Sequence, residues 1–331
     1  MRGLLVGAGG MGRAWGKNLK EEGVLAGWVD VREGVAEEAA QSLEVEIPTE
    51  TDLSEGIDRV GPDFVIDVTA PEAHHDVTLL ALSRGLPVIG EKPMATSMEQ
   101  ARAMVAASER AGKLYMVSQS RRYDPGLVAY RRLIERLGPL GILNADFMIG
   151  AHFGGFRDEM DHVLLIDMAI HTFDEARFLS AADPVSVYAE EYNPSWSWYQ
   201  GNACANCLFE MSNGLRFTYR GSWCAEGLPT SWDGDWRAVG ANGTAIWEKN
   251  GTPYAETVAG DEGFIRPVER LEEKPGDIDR GIKGSLKEFL NALKTGETPQ
   301  GECHDNLKSL AMVFAAVESA KRGERIRIDS L

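Results

Sequence analysis

The chain has 331 residues, 44% of them hydrophobic and 26% charged, a balance that fits a soluble globular protein of two domains with sizeable cores. A formal net charge of −17 argues against nucleic acid or an anionic membrane surface as a partner. No apolar run is long enough to span a bilayer, and the N-terminus enters a strand with no room for a signal peptide, so a cytoplasmic location is expected.

The first strand, Leu4-Leu5-Val6, runs into Gly7-Ala8-Gly9-Gly10-Met11-Gly12. That spacing is a dinucleotide fingerprint in the right setting. A strand precedes it, a helical stretch (Met11 to Glu22) follows, and a second strand (Leu25 to Val29) ends at Asp30. Gly7 allows a tight turn, Gly9 lets a pyrophosphate approach the backbone, and Gly12 lets the helix pack closely; the helix N-terminus favours the phosphate charge. Asp30 can accept hydrogen bonds from ribose hydroxyls and repels a ribose phosphate, which favours NAD over NADP. Arg32 is the feature that would admit NADP.

Further strand–helix units follow: Phe64 to Val68 ending in Thr69-Ala70-Pro71, a helix from Glu72 to Arg84 closed by Gly85, and a strand from Pro87 to Ile89 leading into Glu91-Lys92-Pro93. A helix from Ser97 to Ala111, with Ser97 as N-cap, and a strand from Leu114 to Val117 complete the series. Such repetition implies a doubly wound parallel sheet with ligands at the carboxyl ends of its strands, where Gly7, Asp30, Thr69 and Lys92 all fall. The Lys92-Pro93 bond is a place where a cis peptide would orient the lysine. His74 reads either as a cofactor contact or as a packing residue.

The pattern changes after Tyr123, which divides the chain into a dinucleotide-binding domain (1–121) and a second α+β domain (122–331). The second part begins with a helix (Val128 to Leu137), a strand (Ile142 to Ile149) and a helix (Leu164 to Leu179). Long β stretches follow, with hairpin signals at Asn213-Gly214 and Asn242-Gly243. Two helices (Ser285 to Lys294 and Asn306 to Lys321) and a short strand (Arg325 to Ile328) end the chain. The expected fold is a large, open, mostly antiparallel sheet with helices on one face; a C-terminal helix is a candidate to pack back on the first domain. Six of the eight tryptophans lie between Trp196 and Trp247 and are read mainly as core or interface residues.

Asp167, His171 and Asp174 are spaced four and three residues apart, which puts them on one face of a regular α-helix. The same spacing fits either an active-site face or a solvated one with a structural histidine. Arg122, at the domain crossover, either reaches a substrate or ties the domains together. His152 and Arg157 lie on a glycine-rich loop (Gly150 to Gly155) that lines a pocket or stays on the surface. Cys204-x-x-Cys207 lies in a predicted strand, where positions three apart face opposite sides, and no second pair completes a tetrahedral site. No metal is expected.

With these residues in view, the chain resembles the glucose–fructose oxidoreductase/inositol dehydrogenase (Gfo/Idh/MocA) family nearly end to end. The resemblance rests on GAGGMG at 7–12, the stretch TAPEAHHDVTLLALSRGLPVIGEKPMA at 69–95, RRYDP at 121–125, DMAIH at 167–171 and the C-terminal tail. It implies a Rossmann domain, a second domain on an open sheet, and a catalytic trio of Lys92, Asp167 and His171. It also implies NAD(P)-linked chemistry on a sugar or cyclitol hydroxyl, and homodimers or homotetramers formed through the open sheet. The cofactor-binding residues expected are Gly7, Gly9, Gly10, Met11, Gly12, Asp30, Arg32, Thr69, Pro71, His74, Glu91 and Lys92. Those expected near the substrate are Lys92, Arg122, His152, Asp161, His162, Asp167 and His171. One departure stands out: Asp161-His162-Val163 occupies the place where members of the family commonly carry glycines.

The residue types fit the chemistry. His171 is the preferred general base, because its intrinsic pKa is closest to neutrality. Lys92 can stabilise a developing alkoxide, or carry the proton itself if desolvated. Asp167 orients Lys92 or binds a neighbouring hydroxyl. Two other classes compete with the dehydrogenase: an NAD-dependent glycoside hydrolase, which yields no net NADH, and a non-catalytic sensor of NAD and sugar.

Overall fold

The computed structural model describes residues 1–330, which divide into two compact units: Met1–Ser120 with Arg280–Leu307, and Arg121–Asp279 with Lys308 onward. The first unit therefore takes in a late segment that a single cut near residue 121 assigns to the other domain.

The first unit is built on a six-stranded sheet in the order β3-β2-β1-β4-β5-β6. Its strands are β1 (Gly3–Val6), β2 (Leu25–Val29), β3 (Thr49–Glu50), β4 (Phe64–Asp67), β5 (Val88–Gly90) and β6 (Tyr115–Val117), all paired parallel. The strands β1, β4, β5 and β6 are buried throughout and include short apolar runs such as Phe64-Val65-Ile66, as a covered parallel sheet requires. Helices α1 (Gly10–Glu21), α2 (Val35–Ser42), α3 (Leu53–Val60), α4 (Pro71–Ser83) and α5 (Met98–Ala111) connect the strands. Ser97 caps α5 by accepting from the Gln100 N–H at 3.2 Å. The strand order reverses direction between β1 and β4, the switch point at which doubly wound sheets bind ligands.

The second unit carries α6 (Pro125–Ile134), β7 (Leu140–Met148), the short α7 (Phe156–Glu159), a π-helical turn (Leu164–Ala169) and α8 (Ile170–Ser180). Strands β8 (Pro184–Tyr192), β9 (Cys204–Met211), β10 (Arg216–Ser222), β11 (Asp235–Gly240), β12 (Gly243–Trp247), β13 (Tyr254–Val258) and β14 (Val268–Glu272) follow. After them come α9 (Gly281–Thr295), α10 (Cys303–Arg322) and β15 (Ile326–Arg327). The nine-stranded sheet runs β14-β13-β12-β11-β7-β10-β9-β8-β15; β7 and β10 pair parallel and the other neighbours antiparallel. One face is covered: the Phe173 ring of α8 stands edge-on to Phe209 and Tyr219, at 4.8 and 5.3 Å between centroids. The other face leaves Ile142, Tyr188 and Leu208 exposed. Gly214 takes φ +85° in the β9–β10 turn, the left-handed conformation the Asn-Gly signal requires.

Helix α9 belongs to the first unit. Its Phe289 meets Phe64 edge-on at 5.5 Å, and at the end of α1 its Lys283 pairs with Glu21 and its Lys287 with Glu22, both at 3.7 Å.

Candidate active site

The glycine turn has the geometry its spacing demands. Gly7 has φ +99°, and a Cβ there would lie 2.6 Å from the Val68 carbonyl oxygen. A Cβ on Gly12 would come within 2.2 Å of the Gly7 carbonyl oxygen, so the close approach of α1 to the turn requires glycine. Gly9 and Gly10 instead face open space, with nothing within 4 Å of a notional Cβ. Gly9 caps α1 and supplies no side-chain acceptor, so the first N–H groups of the helix are left to an anion. Met11 is exposed at this end.

Asp30 is buried at the tip of β2. Its Oδ2 accepts the Ala8 N–H at 2.8 Å, which anchors the carboxylate to the turn. Arg32 donates to both carboxylate oxygens at 2.9 Å and holds the group below the ordinary carboxylate range. The open turn, the uncapped helix and the anchored acid fit a dinucleotide: Gly9, Gly10 and Met11 would hold the pyrophosphate and Asp30 the ribose hydroxyls.

At the ends of β4 and β5, Asp67 accepts from the Thr69 hydroxyl at 2.6 Å, and its burial raises its pKa. Pro71 begins α4, where a missing N–H costs nothing. Glu91 accepts from Trp15 Nε1 at 2.8 Å and from the Lys92 N–H at 3.2 Å; burial raises its pKa too. The Lys92-Pro93 bond is cis. His74, read as either a cofactor contact or a packing residue, is buried, its ring nitrogens 2.8 Å from the Pro93 carbonyl oxygen and 3.1 Å from that of Thr69. It links the two strand-end loops, one of which carries Lys92.

In the second unit, the helix carrying DMAIH opens as a π turn, not as the regular α-helix expected. Asp167 lies in that turn and His171 in the first turn of α8, both half-buried. Asp174 does not share their exposure. It is buried and accepts Arg122 Nε and Nη2 at 2.7 and 2.6 Å, with a third bond from the Ser309 hydroxyl at 2.6 Å. Arg122, expected near the substrate, is thus buried in an ion pair with α8, because a desolvated guanidinium needs a fixed carboxylate.

His162 has φ +52°, which accounts for the glycine expected there; its Nδ1 meets the buried Glu191 carboxylate. Asp161 is exposed. His152, on the glycine-rich loop, is exposed, lies 2.7 Å from Glu226 and stacks on Trp198 with ring centres 3.7 Å apart. Arg157, in α7, donates its Nε to Asp167 Oδ2 at 2.7 Å. Trp223, Trp236 and Trp247 are core residues, whereas Trp196 is 72% exposed. All four cysteines are free and buried; burial lifts the Cys204 thiol to about 11.

Comparisons with known proteins accord with this arrangement. Residues 1–119 match an oxidoreductase family with an NAD-binding Rossmann fold, and residues 98–246 match the C-terminal domain of the same Gfo/Idh/MocA group. An inositol 2-dehydrogenase of Arthrobacter sp. (strain FB24) is 30% identical, over 99% of this chain and 96% of its own length. A D-apiose dehydrogenase of Paraburkholderia graminis is 28% identical, over 81% of this chain and 74% of its own. The crystal structure of an oxidoreductase from Agrobacterium radiobacter in complex with NAD+, L-tartaric acid and magnesium superposes with a TM-score of 0.87 at 22% identity, over 100% of this chain and 99% of that one. The chain belongs to the Gfo/Idh/MocA family of NAD-binding oxidoreductases. Among the described residues no helix is long and apolar enough to cross a membrane.

Proposed function

We propose that the protein is an NAD-dependent dehydrogenase that transfers a hydride between a sugar or cyclitol ring hydroxyl and the nicotinamide. The observation that carries this reading is the dinucleotide cradle of Gly9, Gly10 and Asp30. The inositol and apiose dehydrogenases among the relatives suggest the substrate class. Bound NAD supplies the hydride acceptor.

In this reading three residues act on the substrate. His171 takes the hydroxyl proton as general base. Lys92 donates a hydrogen bond to the same oxygen and stabilises charge developing on it. Asp167 binds a neighbouring hydroxyl or orients Lys92. The anchoring of Asp30 and its tie to Arg32 favour NAD, since a ribose phosphate would meet a carboxylate. The exposed apolar residues Ile142, Tyr188 and Leu208 support assembly into a homodimer or homotetramer through the open sheet face.

The test is NADH formation by the purified protein against aldoses, inositols and sugar acids. Turnover with one class, lost in His171→Ala while NAD binding persists, is the expected result. Tight NAD binding with no NADH from any polyol would overturn the reading.

A further inference from the structure

Arg157 is placed against Asp167 but only partly used. Its Nε donates to Asp167 Oδ2 at 2.7 Å, and its guanidinium carbon lies 5.0 Å from the Phe153 ring centre and 4.8 Å from that of Phe156. Beyond this ion pair with Asp167, the terminal nitrogens Nη1 and Nη2 make no hydrogen bond among the described residues. The side chain is 32% exposed, and neither terminal nitrogen is among the buried polar atoms that lack a partner.

The segment that carries Arg157 is braced. The Tyr199 hydroxyl and Trp198 Nε1 both donate to the Ala151 carbonyl, and the Gln200 N–H donates to the Asp158 carbonyl at 2.8 Å. A Cβ on Gly201 would lie 2.1 Å from the Met160 carbonyl oxygen, so this strap is packed as closely as backbone allows. Aromatic rings cover guanidinium faces and leave its in-plane edge for hydrogen bonds. With Nε committed to Asp167, the remaining edge presents paired N–H donors in the geometry that a carboxylate accepts bidentately.

We propose that Arg157 is a specificity residue that selects a substrate bearing a carboxylate, a sugar acid, next to the hydroxyl served by Asp167 and His171. The inference rests on the dehydrogenase reading above and names the substrate class within it. The substrate CH–OH becomes C=O, its hydride passes to NAD+ and its hydroxyl proton to His171. The carboxylate is unchanged and serves only for recognition.

The experiment compares aldonic and uronic acids with the matching alditols, aldoses and sugar phosphates. NADH formation is measured for the wild type, Arg157→Gln and Arg157→Lys, and calorimetric binding to the NAD-loaded proteins is measured in parallel. The wild type is expected to favour the acids, and Arg157→Gln to raise KM for them by on the order of 10- to 100-fold. Turnover of neutral polyols is expected to change far less, and Arg157→Lys to recover part of the preference. Equal losses on acids and polyols would reduce Arg157 to a support for Asp167 and overturn the proposal, as would a wild-type preference for neutral polyols or phosphates. If no substrate is turned over, the dehydrogenase reading fails separately. The binding data still decide: acid binding that depends on Arg157 supports the inference, and binding indifferent to it overturns it.

Discussion

At the scale of single residues, Asp174 and Arg122 are buried whereas Asp167 and His171 are only half-buried. Asp174 and Arg122 have residue types as suggestive as those of Asp167 and His171, yet burial assigns them to structure. Replacing Asp174 with Ala removes the carboxylate that pairs with the buried Arg122 guanidinium, and chemical denaturation should show a loss of about 3–5 kcal/mol. Glu175, on the same helix, is buried with no hydrogen-bond partner on either oxygen, and Arg121 lies 3.7 Å away. Desolvation raises its pKa well above the ordinary range. Between the unfolded and folded pKa values the folded state binds more protons, so the contribution of Glu175 to stability falls as pH rises through that window. Glu175→Gln removes the titrating group. Denaturation midpoints measured from pH 4 upward should decline less with pH in this variant than in the wild type; an unchanged slope would show that Glu175 is not the source.

At the scale of elements, the glycine turn offers a paired test, because its glycines do different work. Gly9 has extended backbone and open space, so Gly9→Ala should keep stability within about 1 kcal/mol while weakening NAD binding at least roughly 10-fold. In Gly12→Ala the new methyl meets the Gly7 carbonyl, and stability should fall by about 1–3 kcal/mol. Thermal shift with and without NAD separates the two outcomes. The strands and helices of the first unit were legible because apolar runs alternate with capped, periodic stretches: Leu25–Val29 is the strand expected, and Ser97 caps the helix expected. The π turn at Leu164–Ala169 was not legible, since an apolar run such as Leu-Leu-Ile looks the same in either helix type. The short α2, α3 and β3 also escaped, being too brief for periodicity to accumulate. The exposed β14, with no buried face in its burial pattern, left no alternation to read.

At the scale of the whole molecule, the parallel, doubly wound character of the first sheet followed from the βα repetition, and the β9–β10 and β11–β12 hairpins of the large sheet followed from their Asn-Gly turns. The placement of α9 in the first unit rests on contacts far apart in sequence, such as Phe64 with Phe289, which no local pattern encodes. For the same reason the partners of the candidate site, Arg157 for Asp167 and Glu191 for His162, could be found only in the folded chain. In the proposed reaction Lys92 and His171 act on one substrate oxygen. The most direct test is the rate of NADH formation, on a substrate the wild type turns over, by the wild type, Lys92→Ala and His171→Ala. NAD affinity should be retained in both variants, with turnover reduced at least about 100-fold in each. A Lys92→Ala protein that binds NAD and turns over at nearly the wild-type rate would contradict the account.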